Sequence, residues 1–372
     1  MKTIKKETIV CISSNYPPYI GGLERVAMEL SEQLALNGNN VIVLTSDMDA
    51  KGVSKVEQKT NLLIKRLRSF RFAHTTFIPF LFWELLKIKK PAVFHLHLAQ
   101  AYVPEMVWFV SKIRNIPYIV HFHLDVDPSG PLGFIFIFWK KYIQTLVMKG
   151  ASKVITLSQD QTKLVRERYE LAKDRVEFLS NGVSEKFFAI GDQERIFHSP
   201  SRLLFVGRLA SQKRPERLIE AMSLLTTSVL LDVVGDGEDR EKLEKLVHNL
   251  SLTNIIFHGI KQGDELIDFY KNADIFILPS EKEGMPLVLL EAMATGLPII
   301  GSDVLGIHEL IDGIGVLVEN PNPTNFAHAI DNLLADKNKM SELSRKSAFH
   351  AKQYSWSNLA DKLEIIYKEL IR

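Results

Sequence analysis

The sequence is poor in cysteine, since Cys11 is the only one among 372 residues. A single thiol inside an apolar run excludes a disulfide framework and a thiolate metal site, and it fits a reducing cytoplasm. Long apolar runs are also scarce. The N-terminal one is too short for a signal peptide, and the run from Leu132 to Trp139 stops at Lys140, far below the roughly 20 residues that cross a bilayer. We therefore expect a soluble chain or one that lies on a membrane surface.

Excess charge of one sign is lacking as well. The 46 lysines and arginines nearly balance 44 acidic residues, and a formal net charge of +2 is too small to indicate a nucleic-acid partner. Basic residues nevertheless concentrate between Lys59 and Lys90, where Glu84 is the only acid. The basic excess is therefore local, and it falls in the N-terminal half of the chain.

The length and the order of patterns predict two domains. A chain of 372 residues exceeds what one hydrophobic core usually serves. Short apolar runs alternate with helical patterns, which predicts parallel sheets covered by helices on both faces. Residues 184–201 are mostly polar, and we place an interdomain linker there. Sheets of this doubly wound type bind ligands beyond the carboxyl ends of their strands, so the chemistry is expected in the loops that follow them.

The most informative stretch runs from Pro279 to Pro298 and follows a short apolar strand pattern. Pro286 suits the first position of a helix that Gly296 closes, because proline has no amide hydrogen to satisfy there. The amides of Leu287 and Val288 should then be unpaired at the positive end of the helix dipole. That end of the helix is predicted to bind an anion.

Two carboxylates flank this predicted anion site. Glu283 precedes the helix, and Glu291 lies about 7.5 Å along the axis from Pro286 at 1.5 Å per residue. One could reach a sugar and the other a ribose, with a diphosphate between them. The alternative is an ordinary helix that carries surface glutamates.

A second loop follows the strand pattern that ends at Val206. Gly207 allows the backbone to turn, and Arg208 and Lys213 extend from the same segment. Two fixed cations would stabilise the growing negative charge of a departing nucleoside diphosphate more than the ground state. The alternative is a solvated basic turn.

Two glycine-containing loops are weaker signals. Gly21 and Gly22 precede a helical pattern and would let a ligand approach backbone amides, although a tight turn explains the same spacing. Gly235 follows another strand pattern in a Gly-Asp-Gly-Glu segment. It predicts a phosphate loop only weakly, because such spacing is common.

Two His-x-His pairs, His95/His97 and His121/His123, lie at predicted strand ends. Period-two spacing puts each pair on one face of its strand, and four histidines raise the question of a metal. The pairs belong to separate strands and have no obvious carboxylate ligand, so a zinc site is not favoured. We expect one or two of them to hydrogen-bond substrate hydroxyls in a cleft and the rest to be packed.

Together these segments resemble the retaining glycosyltransferase family 4, which has the GT-B fold. The resemblance covers most of the chain, and it depends on the order and spacing of motifs that are individually weak. The motifs are Pro17-Pro-Tyr-Ile-Gly-Gly-Leu-Glu, Asn181-Gly-Val, Gly207-Arg-Leu with Lys213, Glu283-x7-Glu291 followed by Ala-Met-Ala-Thr-Gly-Leu-Pro, and Gly306-Ile-His-Glu-Leu.

The resemblance implies an α/β protein with two Rossmann-like doubly wound domains facing a central cleft. Residues 1–188 would bind the acceptor, residues 200–352 would bind the nucleotide sugar, and a helix of about 356–372 would return to the first domain. The implied catalytic residues are His123, Arg208, Lys213 and Glu283. The implied donor-binding residues are Gly21, Gly22, Gly207, Gly235, Met285, Pro286, Leu287, Val288 and Glu291.

The resemblance also implies a mechanism. A hexose would pass with retention of configuration from a UDP- or GDP-sugar to a hydroxyl of a glycan or lipid-linked acceptor. Glu291 would hold the ribose, Glu283 the sugar hydroxyls, and His123 would lie near the donor sugar. The leaving phosphate would accept the acceptor's proton in a front-face attack, with no metal or other cofactor.

The chain departs from the family pattern at three positions. Arg214 replaces a glycine that often follows the lysine, Pro286 a common glycine, and Ser184 a common aspartate. None of these changes removes a charge that the mechanism needs. The first two leave the identity of the sugar open.

Residues 70–90 and 131–141 are rich in aromatic and aliphatic residues bordered by lysine or arginine. Such composition suits the interface of an anionic membrane, and core helices with solvated ends would explain it equally well. We therefore expect either a cytoplasmic enzyme or one that is peripheral at the inner membrane face. Two other functions remain open: a GT-B-fold sugar-nucleotide epimerase and a non-catalytic sugar-nucleotide-binding protein.

Overall fold

A computed structural model describes residues 7–19, 21–72, 75–123 and 137–371. The chain forms two compact units. The first comprises Met1–Asn181 together with Trp356–Arg372, and the second comprises Gly182–Ser355. None of the described helices is both long and apolar enough to cross a membrane.

The first unit contains a parallel sheet with one antiparallel edge strand. Its strand order is β10-β9-β8-β7-β1-β2-β4-β3, and only β3 runs antiparallel to its neighbour. A separate antiparallel pair is formed by β5 and β6. The strands are β1 (Thr8–Ile12), β2 (Asn40–Ser46), β3 (Val56–Lys59), β4 (Leu62–Leu67), β5 (Phe70–Phe72), β6 (Thr75–Phe77), β7 (Ala92–Leu98), β8 (Tyr118–Phe122), β9 (Lys153–Thr156) and β10 (Val176–Phe178).

Helices connect these strands because parallel neighbours need a crossover segment. The central strands β1, β7 and β8 are buried along almost their whole length, which explains their nearly continuous apolar sequences. The helices of this unit are α1 (Gly22–Leu36), α2 (Leu81–Leu86), α3 (Val103–Arg114), a π-helical turn (Trp139–Gln144) that continues into α4 (Thr145–Gly150), α5 (Gln159–Tyr169) and a 3₁₀ turn (Lys173–Arg175).

The second unit has a wholly parallel sheet in the order β13-β12-β11-β14-β15-β16. Its strands are β11 (Ser201–Val206), β12 (Val229–Val234), β13 (Ile255–Gly259), β14 (Ile275–Leu278), β15 (Ile299–Ser302) and β16 (Val316–Val318). Its helices are α6 (Glu185–Gly191), α7 (Pro215–Met222), α8 (Arg240–Asn249), α9 (Gly263–Asn272), α10 (Leu287–Ala294), α11 (His308–Ile311), α12 (Pro323–Ala335) and α13 (Lys337–Ala351).

The last helix, α14 (Trp356–Ile371), packs in the first unit against α1 and β7. Its Tyr367 side chain is fully buried there. The polar side chain of Asn37 at the end of α1 donates to Asp361 and Glu364 of α14 at 3.1 and 2.9 Å. The C-terminal segment is thus part of the first unit's core and of its polar surface.

The chain passes from the first unit to the second between Asn181 and Gly182, two positions before the predicted linker of residues 184–201 begins. Residues 182–188, assigned from the sequence to the first domain, belong to the second unit. They include the start of α6, which packs on α9, α10 and α13. A β-carbon on Gly191 would lie 2.1 Å from the carbonyl oxygen of Ala294, so the glycine that looked like a linker residue permits close helix packing.

The segment of residues 70–90 is helical only in part, and its helix contributes Leu81 and Leu85 to the core. It holds the short strands β5 and β6 and then the six-residue helix α2. Of the apolar run at residues 131–141, only residues 137–141 are described, and residues 131–136 lie outside the described part. Phe138 at the start of this part is exposed.

Candidate functional site

The second unit brings its two predicted motifs together at the centre of the sheet. Strands β11 and β14 are hydrogen-bonded neighbours, and the strand order reverses between them, with β12 and β13 on one side and β15 and β16 on the other. The loops after two such strands diverge and leave a crevice at the carboxyl edge of a parallel sheet. These are the loops of residues 207–214, here the basic loop, and 279–286, here the acidic loop.

The two loops are joined by backbone and side-chain hydrogen bonds. The amide of Glu281 donates to the carbonyl of Gln212 at 2.9 Å, and the Gln212 side chain donates to the carbonyl of Lys282 at 2.8 Å. Arg217, on α7, donates to the carbonyl of Pro279 at 3.2 Å. These contacts hold the basic loop and the acidic loop at a fixed distance.

The central contact of this arrangement is an ion pair between Lys213 and Glu283. The Lys213 Nζ lies 2.6 Å from Glu283 Oε1, and the two side chains are only 19% and 6% exposed. Low exposure strengthens such a pair because little water screens it, and it makes the loss of either partner costly. The structure therefore brings together these two residues, which lie 70 positions apart in the sequence.

Arg208 faces a different partner. Its guanidinium pairs with Glu238 at 3.0 Å, and its side chain is 72% exposed. Arg208 and Lys213 thus pair with different carboxylates here, and their joint contact with one anion stays a prediction. Glu238 was not predicted, although it ends the Gly-Asp-Gly-Glu segment in the sequence.

Helix α10 begins directly after the acidic loop. Pro286 is its N-cap residue in extended conformation, with φ −70° and ψ 119°, one position earlier than predicted. The amides of Leu289 and Leu290 both donate to the Pro286 carbonyl, at 3.1 and 3.4 Å. The preceding amides, those of Leu287 and Val288, have no protein acceptor within the described residues, as expected for the first turn of a helix. They remain available for an anion.

Glu291 is buried on α10, with only 2% of its surface exposed. Its Oε2 accepts a hydrogen bond from the hydroxyl of Tyr270 at 2.8 Å, and this tyrosine on α9 is itself fully buried. The carboxylate is therefore held from behind by a neighbouring helix, and it is not one of the surface glutamates of the alternative interpretation. Tyr270 has no sequence signal of its own, because its spacing is that of an ordinary core residue.

The glycine of the predicted phosphate loop has a packing role. A β-carbon on Gly235 would lie 1.9 Å from the carbonyl oxygen of Gly207, and its φ of +140° is unfavourable for other residues. The amide of Gly207 also donates to Val234 at 3.0 Å. Gly235 thus lets the β12 loop press on the start of the basic loop, and nothing in its geometry is specific for a phosphate.

Gly306 supports the acidic loop in a similar way. Its φ is +81°, and a β-carbon there would lie 2.3 Å from the carbonyl oxygen of Gly284 and 2.6 Å from that of Glu283. It belongs to the Gly-Ile-His-Glu-Leu motif, to which the sequence assigned no role. The motif therefore packs directly against the backbone that carries Glu283.

Arg214 explains one departure from the family pattern. Its φ of +50° and ψ of 43° are left-handed, a conformation that glycine adopts more readily. The arginine side chain forms ion pairs with Glu281 of the acidic loop and with Glu216. The chain thus replaces a flexible glycine by a residue that adds a further link between the two loops.

In the first unit, the two predicted glycines lie at the start of helix α1, with Gly22 as its first residue. Gly21 is its N-cap, and a β-carbon there would lie 2.1 Å from Oε2 of Glu24, while Gly22 has open space around it. Glu24 is buried, and this burial raises the pKa of its carboxyl. A carboxylate that was not predicted therefore lies over the N-terminus of α1, where the sequence suggested close approach of a ligand.

The four histidines lie together, which the sequence did not anticipate. Strands β7 and β8 are adjacent, so the His95/His97 pair lies beside the His121/His123 pair. Ring centroids are 5.2–5.3 Å apart between the strands, and 4.6 and 4.4 Å apart within the two pairs. We call these four residues the histidine stack. All are buried, and His123 is the last of them, at the carboxyl end of β8.

The rings of the histidine stack hydrogen-bond to one another in pairs. His97 Nδ1 lies 3.0 Å from His123 Nε2, and His95 Nε2 lies 3.2 Å from His121 Nδ1. His95 Nδ1 also lies 2.5 Å from the Tyr367 hydroxyl of α14. Nitrogens of His95, His97 and His121 come within 4.8 Å of one another.

Burial determines the charge of the histidine stack. Desolvation lowers the pKa of His95, His97 and His123 well below the ordinary value, and it lowers the pKa of His121 to about 3. Charges on neighbouring rings would oppose protonation further. All four imidazoles are therefore neutral near pH 7.

Comparisons with known proteins agree with this geometry. The family model described as glycosyl transferases group 1 matches residues 187–350, and that of glycosyltransferase family 4 matches residues 20–187. A glycosyltransferase of Methanocaldococcus jannaschii whose activity is uncharacterised is 30% identical, over 97% of both chains. The chain belongs to glycosyltransferase family 4.

Solved structures establish the fold of this glycosyltransferase. Sucrose-phosphate synthase from Thermosynechococcus elongatus matches with a TM-score of 0.79 and 21% identity, covering 98% of this chain and 99% of that one. The Anabaena protein HepE, solved in complex with UDP-glucose, matches with a TM-score of 0.76 and 15% identity over 97% and 99%. The predicted GT-B fold with two Rossmann-like α/β units is confirmed.

The role of Gly306 can be tested by replacing it with alanine. Gly306→Ala should reduce stability by about 1–3 kcal/mol, because the new β-carbon collides with the backbone of the acidic loop. Gly313→Ala is the matched control, since Gly313 has a φ of +72° but open space around it. Thermal unfolding and the donor KM should both change more for Gly306→Ala. Equal effects of the two variants would show that only backbone strain, and no displacement of Glu283, is involved.

The histidine stack predicts a loss of stability in mild acid. Histidines in the unfolded chain have pKa values near 6.5, so below that pH the unfolded state binds protons that the folded state refuses. Stability should be full above about pH 6.5 and fall with decreasing pH, by about 1.4 kcal/mol per pH unit for each buried histidine. Urea unfolding between pH 7.5 and 5 measures this slope. His121→Asn should reduce the slope by one histidine's share, and an unchanged slope would contradict the assignment.

Proposed function

We propose that this glycosyltransferase transfers a hexose, with retention of configuration, from a UDP- or GDP-sugar to a hydroxyl of a glycan or lipid-linked acceptor. The observation that carries the proposal is the position of the Lys213–Glu283 pair. A shielded cation and a carboxylate lie together between the basic loop and the N-terminus of α10. Such a site offers positive charge to a diphosphate and a hydrogen-bond acceptor to a sugar.

The leaving group is stabilised by charge that the protein already holds in place. As the bond between the sugar and the diphosphate breaks, negative charge grows on the phosphate oxygens. Lys213 and the amides of Leu287 and Val288 are fixed before the reaction, so they need little reorganisation to meet that charge. Arg208 joins them by leaving its exposed pairing with Glu238, which costs little because exposed ion pairs are weak.

The two glutamates recognise hydroxyl groups of the donor. Glu283 accepts hydrogen bonds from hydroxyls of the transferred sugar, which compensates for partial loss of its contact with Lys213 when the phosphate binds. Glu291 accepts from the ribose, and the hydrogen bond from Tyr270 keeps its orientation fixed. His123 donates to the sugar. HepE, of the same fold, was solved with UDP-glucose, which supports a sugar of this class as the donor.

The chemical step balances without a metal. The acceptor oxygen attacks the anomeric carbon on the face from which the diphosphate leaves, and the acceptor's proton passes to a phosphate oxygen. One C–O bond forms, one breaks, and the configuration is retained. We propose that no divalent ion takes part, because lysine, arginine and the helix N-terminus supply the positive charge that a metal supplies elsewhere.

The donor site can be tested with two variants and one control. Lys213→Ala and Glu283→Gln should each lower kcat/KM by about 10²–10³, the loss expected when one preorganised group that stabilises a transition state is removed. Lys186→Ala, which breaks an exposed pair with Asp264 in the same unit, should leave turnover unchanged.

A thermal-shift series with UDP- and GDP-sugars measures binding separately from turnover, because a tight ligand raises the melting temperature by mass action. The wild type should be stabilised by at least one of these sugars, and Lys213→Ala should lose that shift. Normal turnover in Lys213→Ala and Glu283→Gln would reject the site. Turnover of the donor without any acceptor would instead favour epimerisation.

We further propose that the first unit contacts an anionic membrane surface. Helix α3 contacts α2, the π-helical turn and α4, and these elements expose apolar side chains, here called the apolar face: Trp83, Phe109, Ile113, Tyr142 and Leu146. Exposed lysines accompany them on the same elements or next to them: Lys87, Lys89, Lys90, Lys112, Lys141 and Lys149. Apolar groups bordered by lysines match the depth profile of an anionic bilayer, with acyl chains beneath phosphate groups. This proposal places the enzyme beside a lipid-linked acceptor.

Flotation with vesicles tests this surface. The wild type should float with vesicles that contain an anionic phospholipid at low salt, and it should remain at the bottom with neutral vesicles. The double variant Trp83→Ser/Phe109→Ser should lose binding. Phe349→Ser, which changes a more exposed aromatic residue of the second unit, is the control and should bind normally. Absence of wild-type binding at low salt would reject the proposal.

A further inference from the structure

Two ring nitrogens of the histidine stack bear on the tautomers of its rings. His97 and His121 each have a ring nitrogen, Nε2, that is buried and has no hydrogen-bond partner within the described part of the chain. Their other ring nitrogens, both Nδ1, are engaged with His123 and His95. A neutral imidazole carries one proton, on one nitrogen or on the other. A buried nitrogen that has no acceptor is an unfavourable place for that proton, so the unpartnered nitrogens help to locate it.

A buried N–H group without an acceptor is among the rarest features of folded proteins. If the proton were on Nε2 of His97, that N–H would be buried and unpaired, while His97 Nδ1 would have to accept from His123. If the proton is on Nδ1, His97 donates to His123 Nε2, and only a lone pair is left unpaired. The second arrangement satisfies the donor, so His97 is the Nδ1–H tautomer.

The other pair has two possible arrangements, because the Tyr367 hydroxyl lies 2.5 Å from His95 Nδ1 and can accept or donate there. If it accepts, His121 donates to His95 Nε2 and every ring proton of the pair is hydrogen-bonded. If it donates, His95 donates to His121, and the N–H on His121 Nε2 is buried without a partner among the described residues. The tautomer assignment is therefore drawn from His97 and His123, whose hydrogen bond does not involve Tyr367.

We infer that His97 is a positioning residue that holds His123 in the Nδ1–H tautomer, so that His123 is a neutral hydrogen-bond donor and not a base. Nε2 of His123 is occupied by the N–H of His97, and His123 is neutral, so its own proton must be on Nδ1. A ring in this state cannot take a proton from the acceptor hydroxyl. It can only donate Nδ1–H to an oxygen, in keeping with a reaction in which the leaving phosphate is the base.

The backbone of His123 is held as well. The Gln161 side chain of α5 donates to the carbonyl oxygen of His123 at 3.2 Å, and its Oε1 accepts from the amide of Leu157 at 2.7 Å. The stacked rings of His97 and His121, with centroids 5.2 and 4.4 Å from that of His123, restrict its rotation. The donor nitrogen is thus fixed in both protonation and direction.

The tautomer can be observed directly in the full-length protein, without any substrate. Long-range ¹H–¹⁵N spectra of the ¹⁵N-histidine-labelled enzyme distinguish Nδ1–H from Nε2–H rings, and the spectrum of His123→Asn identifies the His123 signals. The wild type should show His123 protonated on Nδ1. His97→Leu, which lacks the donor, should show a mixture of tautomers. His97→Asn, whose amide nitrogen can stand in for Nδ1, should restore the wild-type pattern.

Kinetics supply the second readout, and this part rests on the proposed function of His123 toward the donor sugar. His97→Leu should lower kcat about tenfold, the effect of losing one hydrogen bond, and His97→Asn should recover most of it. Tyr367→Phe, which alters only the far end of the other pair, should change neither kcat nor the His123 signals. It also controls for a general loss of packing.

Two results would overturn the inference: an Nε2-protonated His123 in the wild type, or a His123 signal that stays Nδ1-protonated in His97→Leu. Failure of the proposed function would look different. In that case no sugar nucleotide would support transfer, while the tautomer spectra of the wild type and the variants would still follow the pattern given above.

Discussion

The ion pair between Lys213 and Glu283 is the contact on which the proposed donor site depends. Its partners belong to loops that leave two adjacent parallel strands, β11 and β14, at the point where the strand order reverses. Because the two strands are parallel, the two loops start side by side. The ion pair then fixes the distance between them. Because both side chains are largely withdrawn from water, the pair resists screening and neither partner is stable without the other. In the proposed function a diphosphate sugar replaces this pair by offering phosphate to the lysine and hydroxyls to the glutamate, so the pair would favour ligands that carry both groups.

Backbone packing holds the loops in this position. Gly235 lets the β12 loop press on the start of the basic loop, and Gly306 lets its own loop press on the carbonyls of the acidic loop. At both positions any side chain would collide with backbone, which cannot yield as a flexible side chain can. Arg214 differs from these glycines. It adopts a left-handed backbone conformation although it is not glycine, and its side chain forms ion pairs with Glu216 and Glu281. The charged residues of the site are therefore positioned mainly by neighbours that carry no charge or never touch the ligand.

The sequence was sufficient for the features that depend on local pattern and failed for those that depend on which strands are neighbours. Alternating apolar runs predicted both sheets, and the motifs predicted Lys213, Glu283 and the helix at Pro286. The histidine pairs looked separate because nothing in the sequence says that β7 and β8 are adjacent. Tyr270 reads as a core residue, and Glu238 as one acid among many, so their partners Glu291 and Arg208 were predicted without them. The supposed linker at residues 184–201 was polar because α6 is short and lies at the surface, not because the chain is unattached there.

The histidine stack shows how burial can define a chemical role. A histidine side chain in water has no single state near neutral pH, since its charge, its tautomer and its orientation all vary. Burial removes the charge, and the N–H of His97 then removes the choice of tautomer. Stacking removes most of the choice of direction. The four desolvated imidazoles lower the stability of the fold in acid, because the unfolded chain can bind protons there and the buried rings cannot. Apolar residues at these positions would pack without that cost. Leucine side chains could fill these positions if packing were their only role. A neutral hydrogen-bond donor with its proton on one defined nitrogen requires the neighbouring histidines that surround His123 here.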